Sequence, residues 1–464
     1  MATADGAYMG ASDAFTWYME RDPTLTSTVV VVIWLDRAPK WDLLIARIDR
    51  LSRLMPSARQ RVVEPPFRLN TPRWTYDPDF DLGRHLHRIA APKPRTRDAV
   101  LELARRSAIE PFDRDRPLWK LTLVGGMLGG EAALVLKFHH SLSDGVGGMA
   151  SLAILADLQR EPSDLGEMPP VPPGRALDSL ALVADAVGAT VSGYARLARR
   201  GAQEAIPALL RCTLDPVGHA VGAAAMARSV YRTAWPDFST MSPIMRERST
   251  ERRLAMIEVP LDDLKKAAKT VGVTVNDAYL AAVTGGLRRY HEHHGVAVGS
   301  LRAVMPISIR TDQDTDWGNR ITLLRLAVPA AEPDPATRMR LLHRVAKAAR
   351  EEPSLPVTGA IAGALNLLPV GYVGGILKHA DFVASNVPGT SIPVYVAGSK
   401  VTGLVTFGPT IGTALNTTML SYAGRCGIGV NVDTASVPDP DVLIACLREG
   451  FAEVTALAAD GVPQ

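Results

Sequence analysis

The chain has 464 residues, of which 47% are hydrophobic and 21% charged, and its formal net charge at pH 7 is +3. This balance is typical of a folded globular protein, and so small a net charge does not indicate nucleic-acid binding. The length predicts two domains of roughly 200 residues. Cys212, Cys426 and Cys446 lie far apart without metal-site spacing, and residues 1–15 lack the order of a secretory signal. Both features predict a cytosolic protein with reduced thiols.

The first half of the chain has the pattern of a mixed α/β domain. Apolar spacing and capping residues predict a strand, two helices and then a hairpin that encloses a glycine-rich turn. In chain order these elements are Thr28 to Leu35, Trp41 to Leu54, a helix capped by Thr96 that ends near Ile109, Trp119 to Val124, and Ala132 to Phe138.

Seven residues follow the hairpin directly: His139-His140-Ser141-Leu142-Ser143-Asp144-Gly145. A helical pattern from Met149 to Leu158 comes next, so the histidines lie at a strand-to-helix turn. An imidazole with an unperturbed pKa of about 6.5 can accept a proton from a hydroxyl near neutral pH. Asp144 can fix the turn through a partner such as an arginine, and Gly145 permits a sharp turn. A lone His-Asp pair is usually structural, but the double histidine with Asp-Gly at this spacing favours catalysis.

A proline-rich stretch, Glu161 to Arg175, marks the end of the first domain. Apolar residues at helical spacing from Leu180 to Tyr194 then predict an amphipathic connector packed on the domains. Docking of these basic helices on a membrane or lipid droplet is the alternative. We divide the chain into an N-terminal domain (1–160), a linker (161–245) and a C-terminal domain (246–464).

The α/β pattern resumes at Leu254, with a helix opening near Asn276 and a closing helix from Asp439 to Leu457. The uncharged segment from Val357 to Leu377 is long enough to span a membrane, but its spaced glycines and Pro369 favour a buried helix broken at the proline. The other predicted elements are strands at Leu254 to Val259, Leu301 to Met305, Ile321 to Val328, Phe382 to Ser385, Leu415 to Tyr422 and Arg425 to Val432.

The histidine motif resembles the HHxxxDG signature of the CoA-dependent acyltransferase superfamily. Further segments resemble one branch of it, the bacterial wax ester synthase/diacylglycerol acyltransferases. The matching segments, in family order, are Pro117-Leu118-Trp119, Thr274-Val275-Asn276-Asp277, Pro306 to Arg310, Gly318-Asn319-Arg320, Asn386-Val387-Pro388-Gly389, Leu415-Asn416 and Ser421-Tyr422-Ala423-Gly424. Thr390 replaces a proline of the family pattern, and Thr26-Ser27-Thr28 occupy the region of a family histidine.

The resemblance implies an α/β (α+β) fold of two chloramphenicol-acetyltransferase-like domains, each a mixed sheet flanked by helices, joined by a helical linker. It also implies acyl transfer from acyl-CoA to a hydroxyl. His140 is the expected general base, and Asp144 and Gly145 shape its turn. His139 is expected to have a structural or orienting role, because adjacent strand residues point to opposite faces. No acyl-enzyme is expected, since the chain lacks a Gly-x-Ser-x-Gly elbow and a cysteine beside a histidine.

The oxyanion of the tetrahedral intermediate needs a hydrogen-bond donor, and Asn276 is the candidate by its motif position. Asn276 is as well explained as the cap of the helix that it opens. Ser421 and Asn416 are weaker candidates, and we assign them, together with Trp119, to the substrate site. The turn at Asn386 to Gly389 is expected to be a rigid domain contact.

Other clusters are interpreted as structural. His291-Glu292-His293-His294 lacks the spacing of a zincin helix and is expected to end a helix before Gly295. For Arg252-Arg253 we favour a solvated helix or strand end over contact with CoA phosphates. We expect no metal and no cofactor, with acyl-CoA as a substrate, and a cytoplasmic location that can include the inner membrane face or lipid inclusions.

Three functions remain open on the sequence alone. The leading one joins a long-chain acyl group from acyl-CoA to diacylglycerol, to a fatty alcohol, or to both. The second is condensation or ester formation with a carrier-bound acyl group or another acceptor. The third is a lipid-droplet protein without catalytic activity.

Overall fold

The computed structural model describes residues 6–65, 70–142, 145–172, 239–308, 321–352 and 370–459. It also describes a few residues between these ranges, at 188, 224, 226, 228–229, 363, 365–366 and 368. Apart from residue 188, the predicted linker helix at 180–194 lies outside the described residues. So do Cys212 and most of the first half of the 357–377 segment.

The N-terminal half alternates short helices with strands, and several elements match the predicted bounds. Thr96 caps its helix by accepting a hydrogen bond from the Ala99 N–H at 3.4 Å. The elements are α1 (Ala11–Met19), β1 (Thr28–Leu35), α2 (Trp41–Leu54), β2 (Gln60–Val63), β3 (Arg73–Tyr76), β4 (Leu86–Ala90), α3 (Arg97–Ile109), β5 (Trp119–Gly125), β6 (Ala132–His139), α4 (Gly145–Leu155) and β7 (Ala156–Asp157).

The second half contains the remaining strands and helices. Its elements are β8 (Arg252–Pro260), α5 (Leu261–Val271), α6 (Val275–His293), β9 (Ser300–Ser308), β10 (Ile321–Pro329), α7 (Pro335–Arg350), α8 (Val370–Leu377), β11 (Phe382–Val387), β12 (Tyr395–Val396), β13 (Ser399–Phe407), β14 (Leu415–Tyr422), β15 (Arg425–Asp433) and α9 (Pro440–Ala456).

Two large mixed sheets organise the described residues. The first has the strand order β4-β5-β6-β1-β13-β12-β7, and the second β10-β9-β11-β14-β15-β8. In the first sheet β4 runs parallel to β5, and in the second β11 runs parallel to both β9 and β14. Two mixed sheets flanked by helices confirm the predicted fold class.

One connection ties the halves together. β13 belongs to the C-terminal half by sequence, yet it pairs antiparallel with β1, from Val30 opposite Phe407 to Leu35 opposite Val401. The predicted C-terminal domain (246–464) therefore contributes β12 and β13 to the sheet that carries the histidines. The antiparallel pairs of β6 with β5 and with β1 place β6 inside this sheet, and His139 is its last residue.

The sequence prediction missed or misplaced several elements. The helix predicted from Met149 to Leu158 begins at Gly145 and ends at Leu155, where the short strand β7 pairs with β12. Helix α8 begins at Val370, directly after Pro369, and has 8 residues. Among the described residues no helix has both the length and the apolar content needed to cross a bilayer.

Glycines on β15 let the two sheets approach closely. A Cβ on Gly429 would lie 2.0 Å from the carbonyl oxygen of Thr406 on β13, and one on Gly427 would lie 2.2 Å from that of Leu404. A side chain at either position therefore cannot be added without separating the backbones of the sheets.

We expect Gly429→Ala to destabilise the protein by about 1–3 kcal/mol or more, because the added methyl overpacks the contact between the sheets. Chemical denaturation followed by tryptophan fluorescence measures this. Gly299→Ala is the matched control, since a Cβ there has no heavy atom within 4 Å. Equal denaturation midpoints for the two variants would contradict this account of the sheet contact.

Candidate active site

The two histidines occupy the end of β6, and both neighbouring strands hold their backbone. The His139 N–H donates to the Leu118 carbonyl beside β5 at 3.0 Å, and the His140 N–H donates to the Ser27 carbonyl beside β1 at 2.9 Å. Successive N–H groups of a strand point to opposite sides, so one histidine is tied to each neighbour. Leu118 belongs to the Pro117-Leu118-Trp119 element. Its hydrogen bond with His139 explains in structural terms why this element occurs together with the histidine motif.

The His139 side chain is fully buried. Its Nδ1 lies 2.6 Å from the Ser141 Oγ and accepts the backbone N–H of Ser141 at 3.1 Å. With Nδ1 accepting, the ring proton belongs on Nε2, which lies 3.2 Å from the Glu20 Oε1. Trp17 packs its ring edgewise at 5.6 Å between centroids. Burial and these partners fit the predicted orienting role of His139, and that role stays a prediction.

Glu20 is the carboxylate that faces His139. It follows α1, its side chain is 11% exposed, and its Oε1 accepts the Ser27 N–H at 2.6 Å. Burial raises the pKa of this carboxyl, but His139, the Ser27 N–H and the charge of Arg114 outweigh burial and bring the pKa below its ordinary value. Glu20 is therefore an anion at neutral pH.

A buried cation lies on the same face of β6 as His139. The Lys137 ammonium donates to the Glu110 carbonyl and lies 4.3 Å from the Phe112 ring centroid. Burial lowers the pKa of Lys137 to about 8. Phe112 in turn contacts His139 edge-on at 6.2 Å. Lys137 thus binds the loop that contains Glu110 and Phe112, and this loop covers one side of the buried His139.

His140 is half-buried and begins a short 3₁₀ turn, His140–Leu142. It follows His139, the last residue of β6, and so lies where the chain passes from the strand into the turn. Asp144 lies outside the described residues, so its predicted role in the turn has no structural account here. Gly145 is the first residue of α4.

Trp119 is the first residue of β5, the strand that pairs with β6, and it lies two residues before Leu121. Its indole N–H donates to the Ala58 carbonyl at 2.8 Å, and its ring stacks on His85 at 4.7 Å. These contacts are internal to the N-terminal half. The substrate contact assigned to Trp119 stays a prediction.

Asn276 is not the helix cap. Thr274 caps α6 by accepting the Asp277 N–H at 3.3 Å, and the Asp277 carboxylate accepts the Thr274 N–H at 2.9 Å, which completes a capping box. Capping therefore explains Thr274 and Asp277 and leaves Asn276, the second residue of α6, half-buried and without that role. Its assignment as oxyanion donor stays a prediction.

Asn416 and Ser421 lie on β14 and bind the loops beside it. The Asn416 amide donates to the Pro409 carbonyl at 2.7 Å, and the Ser421 hydroxyl accepts the Gly389 N–H at 3.0 Å. Asn386 and Val387 end β11 instead of forming the expected turn, because they pair with β14. A Cβ on Gly389 would lie 1.9 Å from the Ser421 carbonyl oxygen, so the chain after β11 packs tightly on β14. Both side chains have structural partners, and their substrate contacts stay predictions.

The other histidine cluster ends α6 near Gly295. His291 is buried between the Leu287 carbonyl and the Ser242 hydroxyl, each at 2.8 Å, and His294 faces Asp439 at 3.1 Å. The described residues contain no group of three or more side chains arranged to hold a metal ion. Arg252 is buried against Asp433 rather than solvated, so its expected surface position is wrong.

The sequence prediction missed the residues that surround His139. Glu20, Ser27 and Arg114 are brought to the motif by strand pairing and by the packing of α1, and no local spacing links them to it. Ser141 lies inside the motif. Its two-residue spacing from His139 was the one sequence feature that could have predicted a contact with this histidine.

Comparison with known proteins decides the family. The wax ester synthase/diacylglycerol acyltransferase catalytic domain matches residues 9–279, and the WS/DGAT C-terminal domain matches residues 317–455. The chain belongs to this family. A relative from Mycobacterium tuberculosis, assigned as a diacylglycerol O-acyltransferase, is 35% identical over 98% of this chain and 93% of its own. Family membership makes the chain an acyl-CoA-dependent O-acyltransferase.

Solved structures agree with this at the level of the fold. The wax ester synthase/diacylglycerol acyltransferase of Marinobacter aquaeolei VT8 has a TM-score of 0.64 and 20% identity, and the match covers 97% of this chain and all of that one. The first condensation domain of the CDA synthetase has a TM-score of 0.61 and 16% identity, with 100% and 98% covered. The acyltransferase family therefore shares its two-sheet architecture with condensation domains.

We expect the two histidines to differ in their effect on stability. His139→Ala leaves a cavity and removes the partner of a buried carboxylate, so it should cost about 2–4 kcal/mol. His140→Ala removes a half-buried ring and should cost less than about 1 kcal/mol. Denaturant titration of both variants tests this, and equal losses would contradict the assigned burial of His139.

Proposed function

We propose that this acyltransferase transfers a long-chain acyl group from acyl-CoA to diacylglycerol, to a fatty alcohol, or to both, and that His140 is its general base. The supporting observation is the different burial of the two histidines. The His139 ring is fully buried, and His140 is half-buried at the start of the turn that follows β6. The family and the M. tuberculosis relative support the choice of donor and acceptor.

The reaction needs one base and no covalent enzyme intermediate. His140 accepts the hydroxyl proton as the alcohol oxygen attacks the thioester carbonyl, which forms the new C–O bond. The tetrahedral intermediate then collapses with cleavage of the C–S bond, and the imidazolium returns the proton to the CoA thiolate. A donor such as the Asn276 amide would stabilise the oxyanion, an effect of about 3 kcal/mol when the donor is preorganised.

We expect His140→Ala to lower kcat by at least about 10², because general-base assistance contributes about 10² to 10⁴-fold. The assay incubates purified protein with radiolabelled palmitoyl-CoA and either dioleoylglycerol or hexadecanol. Thin-layer chromatography resolves triacylglycerol from wax ester, and a thiol reagent follows CoA release.

His293→Ala is the control, since His293 is an exposed histidine at the end of α6. Retention of more than about a tenth of wild-type transfer by His140→Ala would reject the assigned base. CoA release without either lipid product would indicate a different acceptor. Lipid binding without turnover would favour a non-catalytic lipid-binding protein.

We also propose that the enzyme works at an anionic lipid surface, at the cytoplasmic membrane face or on lipid inclusions. The support is a basic edge, which we define as residues 84–97 together with residues 126–131, the hairpin tip between β5 and β6. Residues 84–97 contain five Lys and Arg and no carboxylate, in a chain whose total net charge is only +3. Arg88, Lys93 and Arg95 are exposed and pair with no carboxylate of the described chain. A basic surface of this kind attracts anionic headgroups.

The hairpin tip adds an apolar side chain to the basic edge. Leu128 is 59% exposed, and its N–H donates to the Arg95 carbonyl at 3.0 Å, so leucine and arginine are held side by side. An exposed apolar side chain among cations is typical of peripheral attachment to a lipid interface.

Reversing three charges, Arg88→Glu, Lys93→Glu and Arg95→Glu together, should weaken vesicle binding by about 100-fold, since each basic residue contributes about 1 kcal/mol near an anionic surface. Sedimentation with phosphatidylcholine vesicles, with and without phosphatidylglycerol, measures this. The control reverses Lys265, Lys266 and Lys269, which are exposed on α5 near two aspartates. Equal loss in both triple variants would contradict a role of the basic edge.

A further inference from the structure

The Glu20 carboxylate connects three parts of the N-terminal half within hydrogen-bonding or ion-pair distance. It accepts the Ser27 N–H at 2.6 Å, faces His139 Nε2 at 3.2 Å and pairs with Arg114 at 3.2 Å. A carboxylate this deeply buried is costly unless several partners compensate it. Here the compensating partners are the buried histidine and the residue whose carbonyl holds His140.

We propose that Glu20 is a positioning residue for catalysis by His140. Two short connections lead from its carboxylate to the catalytic backbone. One passes through the Ser27 peptide, whose carbonyl accepts the His140 N–H at 2.9 Å. The other passes through the His139 ring, one residue before His140. This inference rests on the proposed role of His140 and adds to it the group that fixes its backbone.

The Ser27 connection lies at the start of β1. Thr28 is the first residue of β1 and pairs with His139, the last residue of β6. The contact between His140 and Ser27 extends this ladder by one residue beyond both strands. Such terminal pairs separate readily because no further pair stabilises them. The carboxylate holds Ser27 from its N–H side, while His140 holds it from its carbonyl side.

Helix α1 and the residues directly after it, which include Glu20, are anchored in the C-terminal half. Asp22 pairs with Lys378 at 2.5 Å, and the Asn366 amide donates to the Ala11 carbonyl at 2.9 Å. Met19 and Leu25 form a small apolar cluster with Leu377 of α8. Helix α1 is therefore fixed on one side by α8 and contacts the histidines on the other, which restrains the carboxylate.

Ser141, His139 and Glu20 also form a hydroxyl–imidazole–carboxylate series, the arrangement that activates nucleophilic serines. Two features oppose that role here. Ser141 is only 6% exposed, and its own N–H already donates to the nitrogen that would remove the hydroxyl proton. The series is therefore assigned to holding the imidazole in one orientation. Ser141→Ala should retain transfer, because the backbone N–H of residue 141 still donates to His139 Nδ1.

Two substitutions separate the contributions of Glu20. Glu20→Gln keeps an oxygen that can accept the Ser27 N–H but removes the charge that faces His139, and Glu20→Ala removes both. We expect kcat to fall about 10-fold for Gln and about 100-fold for Ala, because small displacements of a catalytic group cost up to about 10² in rate. KM for palmitoyl-CoA and for the acceptor should change by less than about 2-fold, since the Glu20 carboxylate is mostly buried and its partners are protein groups.

Glu64→Gln is the matched control. Glu64 accepts the Trp17 indole N–H at 2.7 Å and pairs with Arg21 at 3.0 Å in the same region, but it contacts neither histidine nor Ser27. It should retain kcat. Circular dichroism shows whether each variant is folded, and Glu20→Gln provides the test if the alanine variant does not fold.

Wild-type transfer and its loss in His140→Ala are measured first, which tests the proposed function separately. If His140→Ala is inactive while folded Glu20→Gln keeps wild-type kcat, the positioning role of Glu20 is overturned. The same conclusion follows if Glu64→Gln loses as much kcat as Glu20→Gln, or if Ser141→Ala alone abolishes transfer. A graded loss in kcat from Gln to Ala with unchanged KM supports it.

Discussion

The structure of the candidate active site depends on how one strand end is held. β6 ends at His139, and the N–H groups of His139 and of the next residue, His140, are bound to opposite neighbours, Leu118 on the β5 side and Ser27 on the β1 side. The first imidazole is fully buried, and the second is half-buried at the start of a turn. The two histidines therefore differ at the point where the backbone passes from strand to turn.

The interior imidazole and the carboxylate that faces it lie next to this strand end. In the proposed mechanism neither Glu20 nor His139 contacts a substrate, and both act by holding the backbone of His140. A base that accepts a proton in a transition state works best at a fixed distance and angle. Such chemistry requires that the half-exposed imidazole be held rigidly. Lipid substrates have few polar groups that could hold it, so the protein has to do so.

Local patterns predicted much of this molecule. β1, α2 and β14 have the predicted bounds, because alternation, helical spacing and bordering turn residues agreed there. Family motifs located the histidines. The pairing of β13 with β1 was not predictable, because a strand far along the chain joins the first sheet by a contact with no local signal. Glu20 was missed for the same reason, since only tertiary packing brings it to His139.

Because β13 comes from the second half of the chain but belongs to the first sheet, the first sheet cannot be completed early in synthesis. Until residue 407 has been synthesised, β1 lacks the partner on one of its sides, and its sequence, TVVVVIWL, is an uncharged β-branched run. An unpaired edge of that composition invites pairing with other chains. A nascent or truncated N-terminal half is thus exposed to aggregation, and the intact chain protects itself by returning its own distant strand to that edge.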